Sequence, residues 1–163
     1  MKIGIISDSH DNLINIRKAA RVFEQNKIEA LIHAGDFCSP FFFRQLEDLK
    51  KSCSRMYAVF GNNDGDRLLL SRSGGDFCSF KDAVFTFELG GRKIVVMHYP
   101  DVADSLFHSG DFDLVIFGHT HTVVEEGVEC KLLNPGACSG YLSERATVAL
   151  FDSETMGMEV ITL

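Results

Sequence analysis

The stretch KIGIISDSHD, from Lys2 to Asp11, changes from apolar to polar within a few residues. Its first half is a short run rich in isoleucine, which is typical of a buried β-strand. Its second half places Asp8, Ser9 and His10 directly after that strand. Polar residues in this position commonly form a turn or a helix cap, and at the carboxyl end of a strand they also form ligand sites.

The same order, an apolar run followed at once by polar residues, recurs four more times in the chain. LIHAG precedes Asp36, YAVFG precedes Asn62-Asn63-Asp64, IVVM precedes His98, and LVIFG precedes His119-Thr120-His121. In an open α/β sheet, the carboxyl ends of the strands lie along one edge, where ligands bind. We therefore expect the five polar clusters to meet in space.

None of these clusters is specific when taken alone. A single histidine such as His98 is more often a core or rim residue than a ligand. The segment Gly118–His121 is a firmer signal, because alternate side chains on an extended backbone point the same way. Turn chemistry does not readily explain Asp, Asn and His recurring after five separate strands. The combined pattern predicts a metal site.

The number of candidate ligands favours two metal ions over one. Seven side chains qualify: Asp8, His10, Asp36, Asn62, His98, His119 and His121. A single zinc ion needs three or four protein ligands. A bridging carboxylate serves two ions about 3.5–4 Å apart, as in dinuclear hydrolytic sites. Mixed imidazole, carboxylate and amide donors suit manganese or nickel, and also iron, cobalt or zinc, better than magnesium or calcium.

The wider pattern predicts an α/β fold. In the first half, strand candidates at residues 2–7, 29–35 and 55–61 alternate with helical segments after Asn12 and at 41–51. This alternation implies parallel strands joined by right-handed crossovers. The second half is richer in strands, with hairpin signals at Gly90-Gly91 and Gly127, a helix at 101–110, a strand at 113–119 and a strand pair at 146–163. We expect two sheets packed together and covered by helices.

Composition limits the function classes. The 163 residues suit a single domain, residues 1–163, and the net charge of −7 argues against a polybasic nucleic-acid or membrane face. Five cysteines without a CxxC pair favour a reducing cytoplasm. We find no signal peptide and no apolar run near the ~20 residues of a membrane span. The run Phe41–Phe43 is more typical of a helix core, although partial exposure would suit a pocket wall or a homodimer face.

The ordered motifs resemble those of the calcineurin-like metallophosphoesterases. The matching segments are Asp8-x-His10, Gly35-Asp36, Gly61-Asn62-x-Asp64, His98 and Gly118-His119-x-His121, and they extend over nearly the whole chain. The sequence is most similar to the small single-domain archaeal and bacterial phosphodiesterase branch, whose enzymes are activated by manganese or nickel. That branch also carries GNND and a segment like NPGACSGYL, which runs from Asn134 to Leu142 here.

The resemblance implies a four-layer αββα sandwich of two mixed sheets flanked by helices. It also implies hydrolysis of a small phosphodiester by a metal-bridging hydroxide. By position, Asp8, His10, Asp36 and His121 are expected to hold the first ion, and Asn62, His98 and His119 the second, with Asp36 as the bridge. Catalytic roles are expected for Asp36, Asn62, Asn63 and Asp64, and Asp64 is expected to orient a neighbouring histidine, with Gly61 permitting the turn.

Two positions depart from the pattern of the larger family members. Those proteins carry a histidine, credited with protonating the leaving alcohol, where this chain has Asn63. This difference predicts a preference for good leaving groups. The usual HGH-type signature is replaced by His98-Tyr99-Pro100, so that an aromatic rim takes the place of a polar contact.

Two alternatives remain open at this stage. A phosphomonoesterase would use the same site, and a retromer subunit of the same fold is a protein-binding scaffold with a degraded metal site. The intact ligand set disfavours the scaffold. Ser7, Ser9 and Ser39 lie near the site without a His-Asp partner that would activate them. His33 is expected to be buried without binding a metal.

Overall fold

The computed structural model describes all 163 residues, Met1 to Leu163, and contains two β-sheets with helices on their outer faces. The strands are β1 (Lys2–Ile6), β2 (Ala30–His33), β3 (Arg55–Val59), β4 (Cys78–Lys81), β5 (Val84–Leu89), β6 (Arg92–Met97), β7 (Leu114–Ile116), β8 (Val123–Glu126), β9 (Lys131–Pro135), β10 (Thr147–Asp152) and β11 (Gly157–Thr162). The helices are α1 (Leu13–Gln25), α2 (Phe41–Arg44), α3 (Arg67–Gly74) and α4 (Ala103–Ser109), with single 3₁₀ turns at Leu49–Lys51 and Gly75–Phe77.

Both sheets are mixed, as the sequence predicts. The first has six strands in the order β11-β10-β1-β2-β3-β4, in which β1 to β4 are parallel and β10 and β11 are antiparallel to their neighbours. The second has five strands in the order β5-β6-β7-β9-β8, with parallel pairing at its centre and an antiparallel hairpin at each side. The parallel strands therefore end at a common edge in each sheet.

The two sheets pack face to face through alternate residues of their central strands. Ile3, Ile5 and Ile32 from the first sheet share one buried cluster with Ile94 and Ile116 from the second. Alternation follows from the strand period of two, which sends successive side chains to opposite faces. Burial of these apolar side chains from both sheets fixes the distance between the two sets of strand ends.

Helices cover the outer faces. In α1, Ile16, Ala20 and Phe23 are buried at the predicted helical spacing, and the side chain of Asn12 caps the first turn by accepting from the Asn15 N–H. On the opposite side, α4 packs against the second sheet and ends at Gly110, which has the left-handed conformation typical of a helix end. The predicted four-layer αββα sandwich is confirmed.

Two segments differ from the sequence prediction. The helix predicted at residues 41–51 ends at Arg44, after which i→i+3 bonds and a 3₁₀ turn keep Leu46 and Leu49 in the core. The prediction did not include α3 and β4. In α3, Leu68 and Leu69 are exposed and only Leu70 and Gly74 are buried. The helix therefore has no continuous apolar stripe that would have indicated it in the sequence.

Phe42 and Phe43 lie in the core, as predicted, whereas Phe41 is exposed. The homodimer face suggested for this run stays a prediction. None of the helices is both long enough and apolar enough to cross a membrane.

We predict that Ile32→Ala will lower the free energy of unfolding by about 2–5 kcal/mol, because it leaves a cavity between the sheets. The matched control is Ile14→Ala on α1, since Ile14 is 69% exposed whereas Ile32 is 0% exposed. The control should change stability by less than about 0.5 kcal/mol. Urea unfolding followed by circular dichroism measures both, and equal losses would contradict the described inter-sheet core.

Candidate metal centre

The predicted site residues lie on five loops that follow parallel strands of both sheets. Asp8, Asp36 and Asn62 follow β1, β2 and β3 of the first sheet. His98 follows β6, and His119 and His121 follow β7, in the second sheet. The inter-sheet core brings these strand ends together, so that side chains far apart in sequence face one another. The expected meeting of the five clusters is confirmed.

One group of potential ligands consists of Asp8, His10 and His121. The Asp8 Oδ1 atom lies 3.2 Å from His121 Nε2 and 3.8 Å from His10 Nε2. The two imidazole Nε2 atoms lie 3.3 Å apart. Three potential donor atoms thus converge on one point, which is the arrangement that a single cation requires.

A second group consists of Asp8, Asp36 and His98, so Asp8 belongs to both groups, and Asn62 lies beside His98. His98 Nε2 lies 3.5 Å from Asp36 Oδ2 and 3.0 Å from Asn62 Oδ1. The same Asp36 Oδ2 atom lies 3.6 Å from His10 Nε2 of the first group. Asp36 Oδ2 therefore faces a histidine of each group, while Asp8 is a member of both. The assignment of Asp36 as the bridge stays a prediction.

His119 is the predicted ligand that is not brought into either group of donor atoms. Its ring packs beside the rings of His98 and Tyr99, with centroid separations of 5.1 Å and 4.8 Å. Its backbone N–H donates to Asp8 Oδ2 over 3.1 Å. His119 thus lines the site of the second group and secures Asp8 through its main chain.

Backbone carbonyls orient two of the histidine rings. The Nδ1 atom of His98 lies 2.8 Å from the Ala34 carbonyl, and the Nδ1 atom of His121 lies 2.7 Å from the Tyr141 carbonyl. Because a carbonyl oxygen only accepts, Nδ1 carries the proton in each ring and the lone pair of the neutral imidazole is on Nε2. Such outer contacts are typical of metal-binding histidines, whose tautomer and direction they set.

Asp8 gives the strongest evidence that these residues suit a cation. Its side chain is fully buried, and its Oδ1 atom has no hydrogen-bond partner. The other oxygen, Oδ2, accepts from the Ser7 hydroxyl and from the His119 N–H. A buried carboxylate oxygen without a donor is costly, and a metal ion at the convergence of Asp8, His10 and His121 would satisfy it. The residues present therefore fit a divalent metal.

Backbone strain is concentrated in the same loops. Five of the predicted ligands have left-handed φ angles, between 42° and 66°: Asp8, His10, Asp36, His119 and His121. This conformation costs a residue with a Cβ roughly 1–2 kcal/mol. Strained residues persist where surrounding contacts hold them, and they cluster at functional sites.

The charge state of Asp36 follows from its neighbours. Burial opposes its ionisation, yet the adjacent His98 imidazole and the two N–H groups of Asn63 outweigh burial and hold the pKa of this carboxyl well below its usual range. The pKa of His98 is raised, because contacts with Asp36 and the Ala34 carbonyl outweigh burial. Asp36 is therefore a carboxylate at neutral pH, as a bridging ligand has to be.

Asn63 and Asp64 act on Asp36 and its loop. The backbone N–H of Asn63 donates to Asp36 Oδ1 over 2.7 Å, and its side-chain amide donates to Asp36 Oδ2 over 2.8 Å. The prediction that Asp64 orients a histidine is wrong. Its buried carboxylate accepts from the backbone N–H groups of Asp36, Cys38 and Gly61, and so joins the loops that follow β2 and β3.

Gly61 and Gly118 are required for close approach. A Cβ atom on Gly61 would collide with Asp36, and one on Gly118 would collide with Ser7 and Asp8. The φ angle of Gly61 is not positive, so the predicted need for glycine at a turn does not apply here. Glycine is required because a side chain would have no space beside Asp36. Both glycines allow main chain to lie directly against a site carboxylate.

Asn134 is a positioning residue that the sequence analysis quoted without assigning it a role. It is fully buried, and its side-chain amide donates to the Gly118 carbonyl and to the Thr120 hydroxyl, both over 3.0 Å. Its Oδ1 atom accepts from the Gly136 N–H over 2.9 Å. Asn134 thereby holds the loop that carries His119 and His121. Its place in the NPG segment was the available signal, since an asparagine before proline and glycine is typical of a turn that its side chain stabilises.

His33 is buried and lies outside both donor groups, as predicted. Its Nδ1 atom accepts from the Gly35 N–H over 3.1 Å, so the proton is on Nε2, which lies 3.1 Å from the Ser9 hydroxyl. His33 therefore links the loops after β1 and β2. Cys38 Sγ lies 3.4 Å from His10 Nδ1, and burial together with nearby carboxylates raises the pKa of this thiol to about 12.

Comparison with known proteins agrees with this geometry. Residues 1–156 match the calcineurin-like phosphoesterase superfamily domain. A phosphodiesterase of Methanocaldococcus jannaschii is 38% identical over 168 residues, which cover 100% of this chain and 99% of that protein. A solved structure described as a novel archaeal phosphodiesterase has a TM-score of 0.89 at 36% identity, with 100% of each chain covered.

A more distant likeness concerns the fold alone. Vacuolar protein sorting 29 of Cryptosporidium parvum has a TM-score of 0.69 at 20% identity, with 99% of this chain and 96% of that chain covered. The family match extends over almost the whole chain, and the M. jannaschii relative is similar over its full length. The chain therefore belongs to the calcineurin-like phosphoesterase superfamily, whose members use divalent metal ions.

Proposed function

We propose that this protein is a phosphodiesterase that depends on two divalent transition-metal ions, manganese or nickel in preference to iron, cobalt or zinc. The observation that carries the proposal is a pair of adjacent donor groups that share Asp8, whose Oδ1 atom is unpartnered. Asp36 Oδ2 faces a histidine of each group, His10 and His98. The names of the M. jannaschii relative and of the similar solved structure support the choice of a diester substrate.

In this proposal, Asp8, His10, Asp36 and His121 would hold the first ion, and Asn62, His98 and His119 would hold the second, with Asp36 shared. Bound divalent ions lower the pKa of water toward about 7 and offset the charge that develops on phosphoryl oxygens. The chain supplies the positions of the ligands. Asn63 and Asp64 hold Asp36 and its loop, and the carbonyls of Ala34 and Tyr141 direct two imidazoles.

A serine nucleophile is disfavoured. Ser7 and Ser9 are fully buried, and the hydroxyl of Ser7 donates to Asp8 while that of Ser39 donates to Asp11. The contact between Ser9 and His33 resembles a nucleophile–base pair but has the wrong tautomer. Because His33 Nδ1 accepts from Gly35, its Nε2 donates to Ser9 and cannot remove a proton from it. The attacking group is therefore water, and no covalent enzyme intermediate is expected.

The identity of the leaving group matters in this site. The side-chain amide of Asn63 is directed at Asp36, and an amide does not titrate near neutral pH. Protonation of the leaving oxygen by this residue is therefore excluded. Esters whose leaving groups are stable as anions should react fastest.

The first prediction is metal dependence. Chelator-treated protein should lose hydrolysis of bis(4-nitrophenyl) phosphate, and manganese or nickel should restore it, because the donor groups hold the ions that activate water. Hydrolysis is followed by nitrophenolate absorbance, with 4-nitrophenyl phosphate as the monoester comparison. If hydrolysis does not exceed that of the metal ion without protein, the proposal that the protein is an enzyme is rejected. If the monoester is cleaved faster than the diester, the phosphomonoesterase alternative is favoured.

Asp36→Asn tests the proposed shared ligand, because it removes the negative charge that both ions would share. Activity of the folded variant should fall by more than about 100-fold, beyond the range typical of residues that only support a ligand. Asp76→Asn is the matched exposed control and should retain wild-type activity. A mildly impaired Asp36→Asn would place the bridge elsewhere.

The second prediction concerns Asn134. Asn134→Ala removes the bonds to Gly118 and Thr120, so the loop carrying His119 and His121 should relax and manganese affinity should fall by about 10–100-fold. Isothermal titration calorimetry measures this on protein whose folding is confirmed by circular dichroism. Asn26→Ala, at the end of α1, is the control and should bind as the wild type does, because its side-chain amide donates only to the Val22 carbonyl of that helix. Wild-type affinity in folded Asn134→Ala would show that the loop needs no such support.

The third prediction concerns Asn63. Asn63→His introduces a titratable group, and general acid help is typically worth about 10²–10⁴ in rate. The variant should therefore raise the ratio of alkyl to aryl diester hydrolysis, even if loss of the side-chain bond to Asp36 lowers both rates. Steady-state rates on one aryl and one alkyl diester, with metal loading checked, give this ratio. An unchanged ratio would refute the account of a missing acid.

A further inference from the structure

A cavity of about 700 Å³ opens beside the candidate metal centre, and His121 forms part of its wall. The segment Leu142–Arg145, which follows the NPGACSGY stretch, also lines it. Ligand cavities commonly measure about 300–1,000 Å³, so the space suits a substituent the size of a nucleotide. Of the residues in the two donor groups, only His121 lines this cavity, so the cavity is a separate space next to the candidate metal centre.

Leu142, at the rim of this cavity, has an unusual conformation. Its φ angle is 55°, in the left-handed region, and the residue is 96% exposed. A leucine in this region is strained, and an exposed leucine gains nothing from burial that would offset the strain. Strain of this kind points to function when the surrounding chain maintains it. An apolar side chain held at the rim of a cavity is suited to contact an apolar face of a ligand.

Arg145 is the basic residue of the cavity wall, and its guanidinium makes no hydrogen bond or ion pair with the rest of the chain. Glu144 also lines the cavity but forms no ion pair with Arg145, so the guanidinium stays available. Guanidinium groups recognise phosphate and carboxylate through paired N–H donors. The chemistry of this wall therefore fits an anionic group.

We propose that the cavity binds one ester substituent of the diester, and that the preferred substituent combines an apolar ring face with a second anionic group. Leu142 contacts the ring and Arg145 contacts the anion, as the chemistry of a nucleotide unit allows. This inference rests on the proposed phosphodiesterase function, whose scissile phosphate lies at the metal centre. The net charge of −7 disfavours a long polyanion, so the substrate is a small diester.

Two substrates that differ by one anion test the role of Arg145. They are thymidine 5′-(4-nitrophenyl phosphate) and its 3′-phosphorylated analogue, which share the same leaving group. With manganese bound, the wild type should have a kcat/KM about tenfold higher on the 3′-phosphorylated ester, the ratio expected from one charge-assisted contact. Arg145→Gln should reduce that ratio to about one. Arg21→Gln, an exposed arginine on α1, is the control and should keep the wild-type ratio.

Leu142→Ala tests the apolar contact. It should raise KM for both nucleoside esters several-fold with little change in kcat, and it should not destabilise the fold, because Leu142 is exposed. Leu68→Ala, at an exposed leucine on α3, is the matched control and should leave KM unchanged. An unchanged KM in Leu142→Ala, or a wild-type ratio near one, or a ratio that survives in Arg145→Gln, overturns the proposal.

Binding measurements separate this proposal from the proposed function. Thymidine 3′,5′-bisphosphate should bind the manganese-loaded wild type about tenfold more tightly than thymidine 5′-monophosphate, and Arg145→Gln should abolish the difference. If the protein cleaves none of the esters but keeps this binding ratio, the phosphodiesterase function fails while the cavity assignment stands. If the esters are cleaved but the ratio is absent, the cavity assignment fails alone.

Discussion

A buried carboxylate with one unpaired oxygen is the constraint on which the functional end of this molecule depends. Asp8 is fully buried, its Oδ2 atom is held by Ser7 and by the His119 N–H, and its Oδ1 atom faces His10 and His121 without a donor. An ionised group in this state is costly unless a cation joins it. The apolar contact between the two sheets sets the positions of these residues, because Asp8 extends from one sheet and His119 from the other. Stability of the sandwich and geometry of the site are therefore coupled.

The loops around Asp8 satisfy one another through main-chain contacts. Asp64 binds three backbone N–H groups of two loops, and Asn134 holds the loop that carries His119 and His121. Such bonds fix the left-handed backbone of the ligands without using the ligand atoms, which stay directed at the site. Some polar residues in these loops thus bond the main chain while others are the candidate metal ligands, which explains why the polar residues outnumber the ligands. Those that bind no metal offset the strain that the others carry.

Sequence reasoning reached the fold class and the candidate site because both depend on repeated local signals. Apolar runs ending in Asp, Asn or His mark strand ends, and the ends of parallel strands lie at a common edge. It did not find α3, in which Leu68 and Leu69 are exposed. It also placed the end of α2 too late, because i→i+3 bonds after Arg44 keep Leu46 and Leu49 buried, as a longer helix would. It also misassigned Asp64, because hydrogen bonds to backbone N–H groups depend on the path of the chain and leave no residue-type signature. Asn134 was missed although the NPG segment marks a turn, because its partners Gly118 and Thr120 lie on a loop that only the folded chain brings near.

The fold alone does not decide between an enzyme and a scaffold, because one architecture can support unrelated functions. The side chains at the strand ends decide it, and Asn63 shows how. Its two N–H groups bind both oxygens of Asp36 and help to keep that carboxylate ionised. A histidine at this position would have to leave Asp36 in order to meet a leaving group, so acid assistance and a fixed carboxylate compete for the same place. With asparagine there, the geometry favours the carboxylate. In the proposed reaction, the barrier then depends on how well the leaving group bears negative charge.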